Sequence, residues 1–181
     1  MRLHAPTKST TLGVGGVLLA SLTVSWWRGE FGVPELLIAL FLFQRHGTAA
    51  FLAAIPEAKA GFRYAAGKWS VREVIGHLAD AERIFAYRLL RIARGDATPL
   101  ASFDENLYVP NGQFERRSLA DMAAEFATVR DATLSLVHGM DAEALARMGT
   151  ASQKPVSARA LAWIIAGHEI HHLAVIRERY L

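Results

Sequence analysis

Residues 68–95 read KWSVREVIGHLADAERIFAYRLLRIARG, and this stretch carries the fullest set of helix signals in the chain. Ser70 and Glu73 stand as Ser-x-x-Glu. At that spacing the serine hydroxyl accepts from the third helical N–H and the glutamate returns the bond. Trp69 and Val74 flank this capping box where a hydrophobic staple belongs. Arg91 and Arg94 set positive charge against the carbonyl end, and Gly95 supplies the stop. A helix of about 24 residues is predicted, roughly 36 Å long at 1.5 Å per residue.

Three more helices are predicted around it. One runs from about Pro34, a permissible first-turn proline, to Ala54, ahead of Pro56. Another is capped by Ser118, carries Asp121 in its first turn and stops at Gly139 after His138. The last is capped by Ser157 and runs to about Arg179. Asp141 to Met148 reads as a helical turn, and GTASQKPVS, residues 149–157, as a loop. Residues 96–117 hold two prolines, a Pro-Asn-Gly turn signal and no sustained period. Four amphipathic helices make an all-α four-helix bundle the economical architecture. The long connection can span its whole length, so the second and third helices are expected to run parallel with a crossover between them.

Composition narrows the chemistry. At 181 residues and 52% hydrophobic, the chain suits one domain with a full core. Twenty Lys and Arg against seventeen Asp and Glu leave +3, spread without runs, so no nucleic-acid groove is expected. With no cysteine, any metal must be held by His, Asp or Glu.

Seven histidines are available, and three share an apolar setting. With His168 as zero on a helical wheel, His172 lies about 40° away, His171 about 60° the other way and Glu169 about 100° round. Leu161, Ile164, Ile165, Val175 and Ile176 all fall within about 80° of His168. His168 and His172 therefore sit in the apolar stripe at i, i+4, the spacing that brings two imidazoles to one ion. Buried unpaired, they would cost several kcal/mol, on the order of the known penalty for orphaned polar groups. On the second helix His77 shares a face with Val74, Ile84, Phe85 and Ile92. A three-His divalent-metal site accounts for all three; core imidazoles bonded to other side chains are the alternative. His4, His46 and His138 have no partner at ligand spacing, and His171 is placed either behind the ligands, supporting them, or at the rim. His168-Glu169-x-x-His172 also fits the zincin pattern, but only nine residues follow His172 to supply a third ligand. Glu169 is kept as a candidate proton carrier. Asp80, about 60° off the face of His77, would either orient a ligand imidazole or pair with Arg83. Glu82 and Arg83 are assigned to surface or inter-helix pairing, and Trp69 to the staple.

Residues 64–96, containing Lys-Trp-Ser-x-x-Glu-x-x-x-His-x-x-Asp-x-Glu, and residues 149–181, containing His-x-x-His-His, resemble the DinB-like superfamily. The likeness covers roughly residues 35–181. It implies a four-helix bundle with parallel second and third helices, and a zinc or nickel ion held by His77, His168 and His172. It also implies enzymes that include low-molecular-weight-thiol transferases.

An ion with three neutral ligands and an open position acidifies bound water or thiol. A hydrolase and a thiol S-transferase both follow, against a non-catalytic alternative in which the ion pins a metal-binding or protein-interaction module. The expected partners are a small-molecule substrate, a low-molecular-weight thiol among the candidates, and a second copy of the chain. Thr10 to Trp27 is apolar and uncharged after Arg2 and Lys8. Residues 1–33 are read as an appended segment outside the 34–181 bundle: a loose extension, a signal peptide or an anchor. The bundle itself is expected to be cytoplasmic, with membrane contact only if that segment is an anchor.

Overall fold

The computed structural model describes residues 33–181, so the expectations for Thr10 to Trp27 and the rest of the N-terminal segment lie outside the described residues. Four long helices carry the fold: α1 (Val33–Ala53), α2 (Val71–Ala93), α4 (Leu119–His138) and α6 (Ala158–Arg179). Two short helices, α3 (Glu105–Asn111) and α5 (Ala142–Ala146), and a hairpin of β1 (Met148–Ala151) and β2 (Lys154–Ser157) join them. Among the described residues no helix is long and apolar enough to cross a membrane.

Local chemistry sets the ends. Glu73 N–H donates to Ser70 Oγ at 3.3 Å and Ser70 N–H to Glu73 Oε2 at 2.6 Å, closing the capping box. Ser118 and Ser157 cap α4 and α6 by accepting from Asp121 and Ala160 N–H. At the far end of α2, Gly95 takes φ +80°. Its N–H reaches Ile92 O and that of Asp96 reaches Arg91 O, a Schellman close that only a residue at ease with positive φ makes cheaply.

The core falls into two apolar halves. One holds Leu52 of α1, Val71 to Ala79 of α2, Leu119 to Phe126 of α4, and Leu173 with Ile176 of α6. The other holds Phe41, Leu89 to Ala93, Val137, and Ala158 to Ala166. The N-terminal turns of α2 and α4 thus lie at the same end as the C-terminal turns of α1 and α6. Helices α2 and α4 run parallel, and the chain between them crosses the length of the bundle, as expected. It is less featureless than its sequence: it holds α3, started by Asp104 Oδ1 accepting from Asn106 N–H, and a 3₁₀ turn at Phe114–Arg116.

One expectation fails. Residues 149–157 are not a plain loop but most of a hairpin, in register Met148↔Ser157 to Ala151↔Lys154. Its two-residue turn, Ser152-Gln153, has φ of 50° and 63°, the double left-handed conformation of a type I′ turn. Ser-Gln is a poor advertisement for that geometry, and the strands are only four residues each. Leu100 of the crossover bridges Ala151 and joins its edge.

Between the two halves lies a polar layer. Arg130 is fully buried; its Nε and Nη2 donate to Glu82 Oε1 and Oε2 at 2.8 Å each. Its Nη2 also lies 2.8 Å from Glu169 Oε2. Charge holds that contact. Nη1 donates to Gln44 Oε1, and Gln44 Nε2 in turn donates to Ala166 O. Thr48 donates to Glu169 Oε1. All four long helices contribute. We expect Arg130→Met, which strands two buried carboxylates, to cost about 3–5 kcal/mol of stability. Adding Glu82→Leu and Glu169→Leu should recover much of that loss in urea unfolding, because an apolar replacement of the whole layer leaves no orphaned charge.

Candidate metal centre

The periodicity of α2 and α6 brings three imidazoles to one place. His77 Nε2 and His168 Nε2 lie 3.1 Å apart. One donor nitrogen from each of His77, His168 and His172 lies within 4.8 Å of the others. Ring centroids are 5.0, 5.0 and 4.5 Å apart around the triangle. His77 is buried and the other two are half-buried. Their surroundings are aromatic: Trp69 tilts over His77 at 4.8 Å and Phe85 meets His168 edge-on at 5.6 Å.

Burial pushes each of the three rings down to about 4, with the charge of a neighbouring histidine adding to the effect. All three are therefore neutral at pH 7, with lone pairs free to bind. Among the described residues the cluster holds three donors and no carboxylate.

The other candidates take different places. Glu169 is not beside the triad chemistry: the roughly 100° step from His168 turns it into the buried layer against Arg130 and Thr48. Burial raises its pKa while Arg130 pulls the other way. The structure places its carboxylate in that layer and not among the triad nitrogens. Asp80 takes Arg83 as its partner at 3.3 Å, and burial raises it too. No hydrogen bond joins it to a triad ring among the described residues. His171 lies at the mouth, its ring 5.1 Å from that of His172. Glu82 and Arg83 do pair between helices, with Arg130 and with Glu125.

A cavity of about 340 Å³ opens beside His172. Its walls include Tyr64, Trp69, Glu105, Asn106, His171 and Tyr180. Glu105 and Asn106 begin α3, so the crossover supplies the wall facing α6. Sequence reasoning misses both, although Asp104 immediately ahead of them is a legible N-cap. It also gives Trp69 to the staple alone. That residue packs with Val74 in the same apolar half and covers His77 as well.

The neutral triad has a pH consequence. In the unfolded chain these histidines titrate near 6.5, so as pH falls below that value the unfolded state binds protons first. Their effect on metal-free stability is small above pH 6.5, grows as a destabilisation while pH falls from 6.5 to about 4, and stays in full below that. The urea midpoint of metal-free protein should therefore drop from about pH 7 to about pH 5. It should drop clearly less in a variant with the three rings replaced by Phe or Leu.

Comparison with known proteins bears on the fold and the family. No curated protein matches the chain. Among solved structures, YfiT from Bacillus subtilis aligns with TM-score 0.72 at 16% identity, over 80% of this chain and 84% of that one. It is described as a probable metal-dependent hydrolase with an unusual four-helix bundle topology. A DinB-like protein, YjoA, also from Bacillus subtilis, aligns with TM-score 0.57 at 20% identity, over 78% and 87%. At such identities the likeness speaks for the fold alone. Residues 1–55 are similar to a Na+/H+ antiporter subunit family, a match over less than a third of the chain. The DinB superfamily model matches residues 40–176, a span that includes His77, His168 and His172, and the chain belongs to that superfamily.

Proposed function

We propose that the chain is a divalent-metal-dependent hydrolase of small molecules, with His77, His168 and His172 as the protein ligands of the ion. The convergence of three neutral imidazoles carries this reading. Bonds of about 2.0–2.1 Å to a tetrahedral ion would set ligand nitrogens about 3.3 Å apart, close to the 3.1 Å between His77 and His168. All-nitrogen donors suit zinc or nickel. A structural ion wants a closed sphere, whereas this cluster has three donors beside a cavity. The description of YfiT as a probable metal-dependent hydrolase supports the same class.

When bound, the ion would supply Lewis acidity toward a substrate or water oxygen. The chain's own residues do the remaining work. Trp69 and Phe85 hold the ligand rings and keep water from their apolar side. Tyr64, Val175 and Tyr180 shape the cavity for an uncharged portion of substrate. With Glu169 held against Arg130, we assign proton exchange with a substrate to His171 and Glu105, both on the cavity wall. We take residues 34–181 as the catalytic unit and residues 1–33 as an appendage to it.

Purified protein should carry close to one zinc or nickel per chain, and Ala at His77, His168 or His172 should remove most of it. With metal retained, Glu105→Gln should slow hydrolysis of ester or amide substrates by about 10²-fold if Glu105 moves a proton in the rate-limiting step. Turnover seen only when a low-molecular-weight thiol accompanies an electrophile would replace the hydrolase reading with a transferase one. Metal-free preparations whose triad variants behave as wild type would end both.

A further inference from the structure

A second cavity of about 330 Å³, lined by none of the triad residues, opens between α2 and the crossover. Its walls combine Ile84, Leu100 and Phe103 with Tyr87, Arg88 and Arg91. The two arginines differ. Arg91 is neutralised by Asp96 and also donates to Tyr87 Oη. Arg88 is only 6% exposed and, among the described residues, has no carboxylate partner. The other arginines without an acidic partner there, Arg94, Arg116, Arg159, Arg177 and Arg179, are all exposed.

A buried cation without a counter-charge is costly, and Arg88 recovers only part of that cost. Its Nη2 donates to Ala101 O at 2.6 Å and Ser152 Oγ at 3.2 Å, tying the crossover to the hairpin turn. Phe85 and Phe103 lie 5.9 and 5.6 Å from its guanidinium carbon, near enough for weak cation–π attraction. Burial lowers its pKa, with no acidic group opposing. Nε and Nη1 have no acceptor among the described residues.

We propose that this cavity is a binding site for a small organic carboxylate, with the Arg88 guanidinium as its anchor through the Nε–H and Nη1–H donors that have no acceptor. Both two-donor edges of the guanidinium run through Nη2, which Ala101 O and Ser152 Oγ already engage, so a carboxylate oxygen would accept a charge-assisted bond from Nη1 or Nε singly. Charge selects among anions: one uncompensated positive charge balances a monoanion, whereas a phosphate dianion would bury an unpaired negative charge. The Ile84, Leu100 and Phe103 walls suit an apolar body on that acid. The site stands independently of the reaction proposed above, because none of its walls is a triad residue.

Benzoate, its uncharged analogue benzamide and inorganic phosphate make a sufficient probe set. Benzoate should bind full-length protein saturably, at least tenfold more tightly than either of the others, and should shift the Arg88 Nε–H resonance. Arg88→Gln should weaken benzoate at least tenfold; because that change also loosens the hairpin, circular dichroism must accompany it. Ser102→Trp, which fills the cavity without touching the guanidinium, should abolish binding in a folded protein. Equal affinity for benzoate and benzamide, undiminished binding in either folded variant, or shifts confined to the triad histidines would each overturn the proposal.

Discussion

The bundle depends on what Arg130 does at its middle. One guanidinium, wholly buried, faces Glu82 of α2 and Glu169 of α6 and takes Gln44 of α1 as a further acceptor. Phe41 and Phe126 lie 4.9 and 5.5 Å from its carbon, so the charge is roofed by rings as well as paired. Such a layer adds little net stability, because desolvation offsets most of the attraction. Its effect is on register. Apolar side chains tolerate a sliding helix, but a two-pronged bond to Glu82 does not. A slip of one turn, about 5.4 Å, would leave charges buried and unmet. The two apolar halves are locked to each other through this plane.

The same constraint sets the histidine triad. Glu169 and His168 are neighbours on α6, about 100° apart, so holding one carboxylate against Arg130 fixes where the adjacent imidazole points. On α2, Glu82 and His77 are separated by five residues and face in different directions for the same reason. Each helix thus presents one face to the polar layer and another to the triad. Three rings crowd together while remaining neutral, since burial makes their protonation unfavourable. They are held as a donor set, and the cost of burying them is the measure of how firmly the layer beneath them holds.

Periodicity alone makes the triad legible. Imidazoles in the middle of an apolar stripe on two helices have few innocent explanations, and a helical wheel locates them to within tens of degrees. The same wheel cannot say what lies opposite Glu169. That requires Arg130, which sits among Phe126, Val129, Thr133 and Val137 at core spacing on α4, a charged residue where an apolar one belongs. Its partners come from three other helices, 39 to 86 residues away in sequence. No local pattern encodes such a meeting. The caps are local and can be read residue by residue. The hairpin cannot, because its turn needs two left-handed residues and has only Ser-Gln.

The parallel course of α2 and α4 has a last consequence for the site. A short turn between antiparallel helices would leave the triad end open, whereas the crossover must travel the bundle's length and can cover what it passes. It does so by close packing. Phe114 seats its ring against α2 where Gly76 leaves no side chain, and against Gly112 on its own segment. A methyl group built at Gly76 would lie 2.3 Å from that ring, and one at Gly112 2.4 Å. No real carbon atom tolerates such approaches without displacement. Gly76 precedes His77, so the residue that lets the crossover dock adjoins the one that reaches the triad. Two glycines and one phenylalanine thereby hold the long connection against α2, and Glu105 and Asn106, earlier on that connection, line the cavity beside His172.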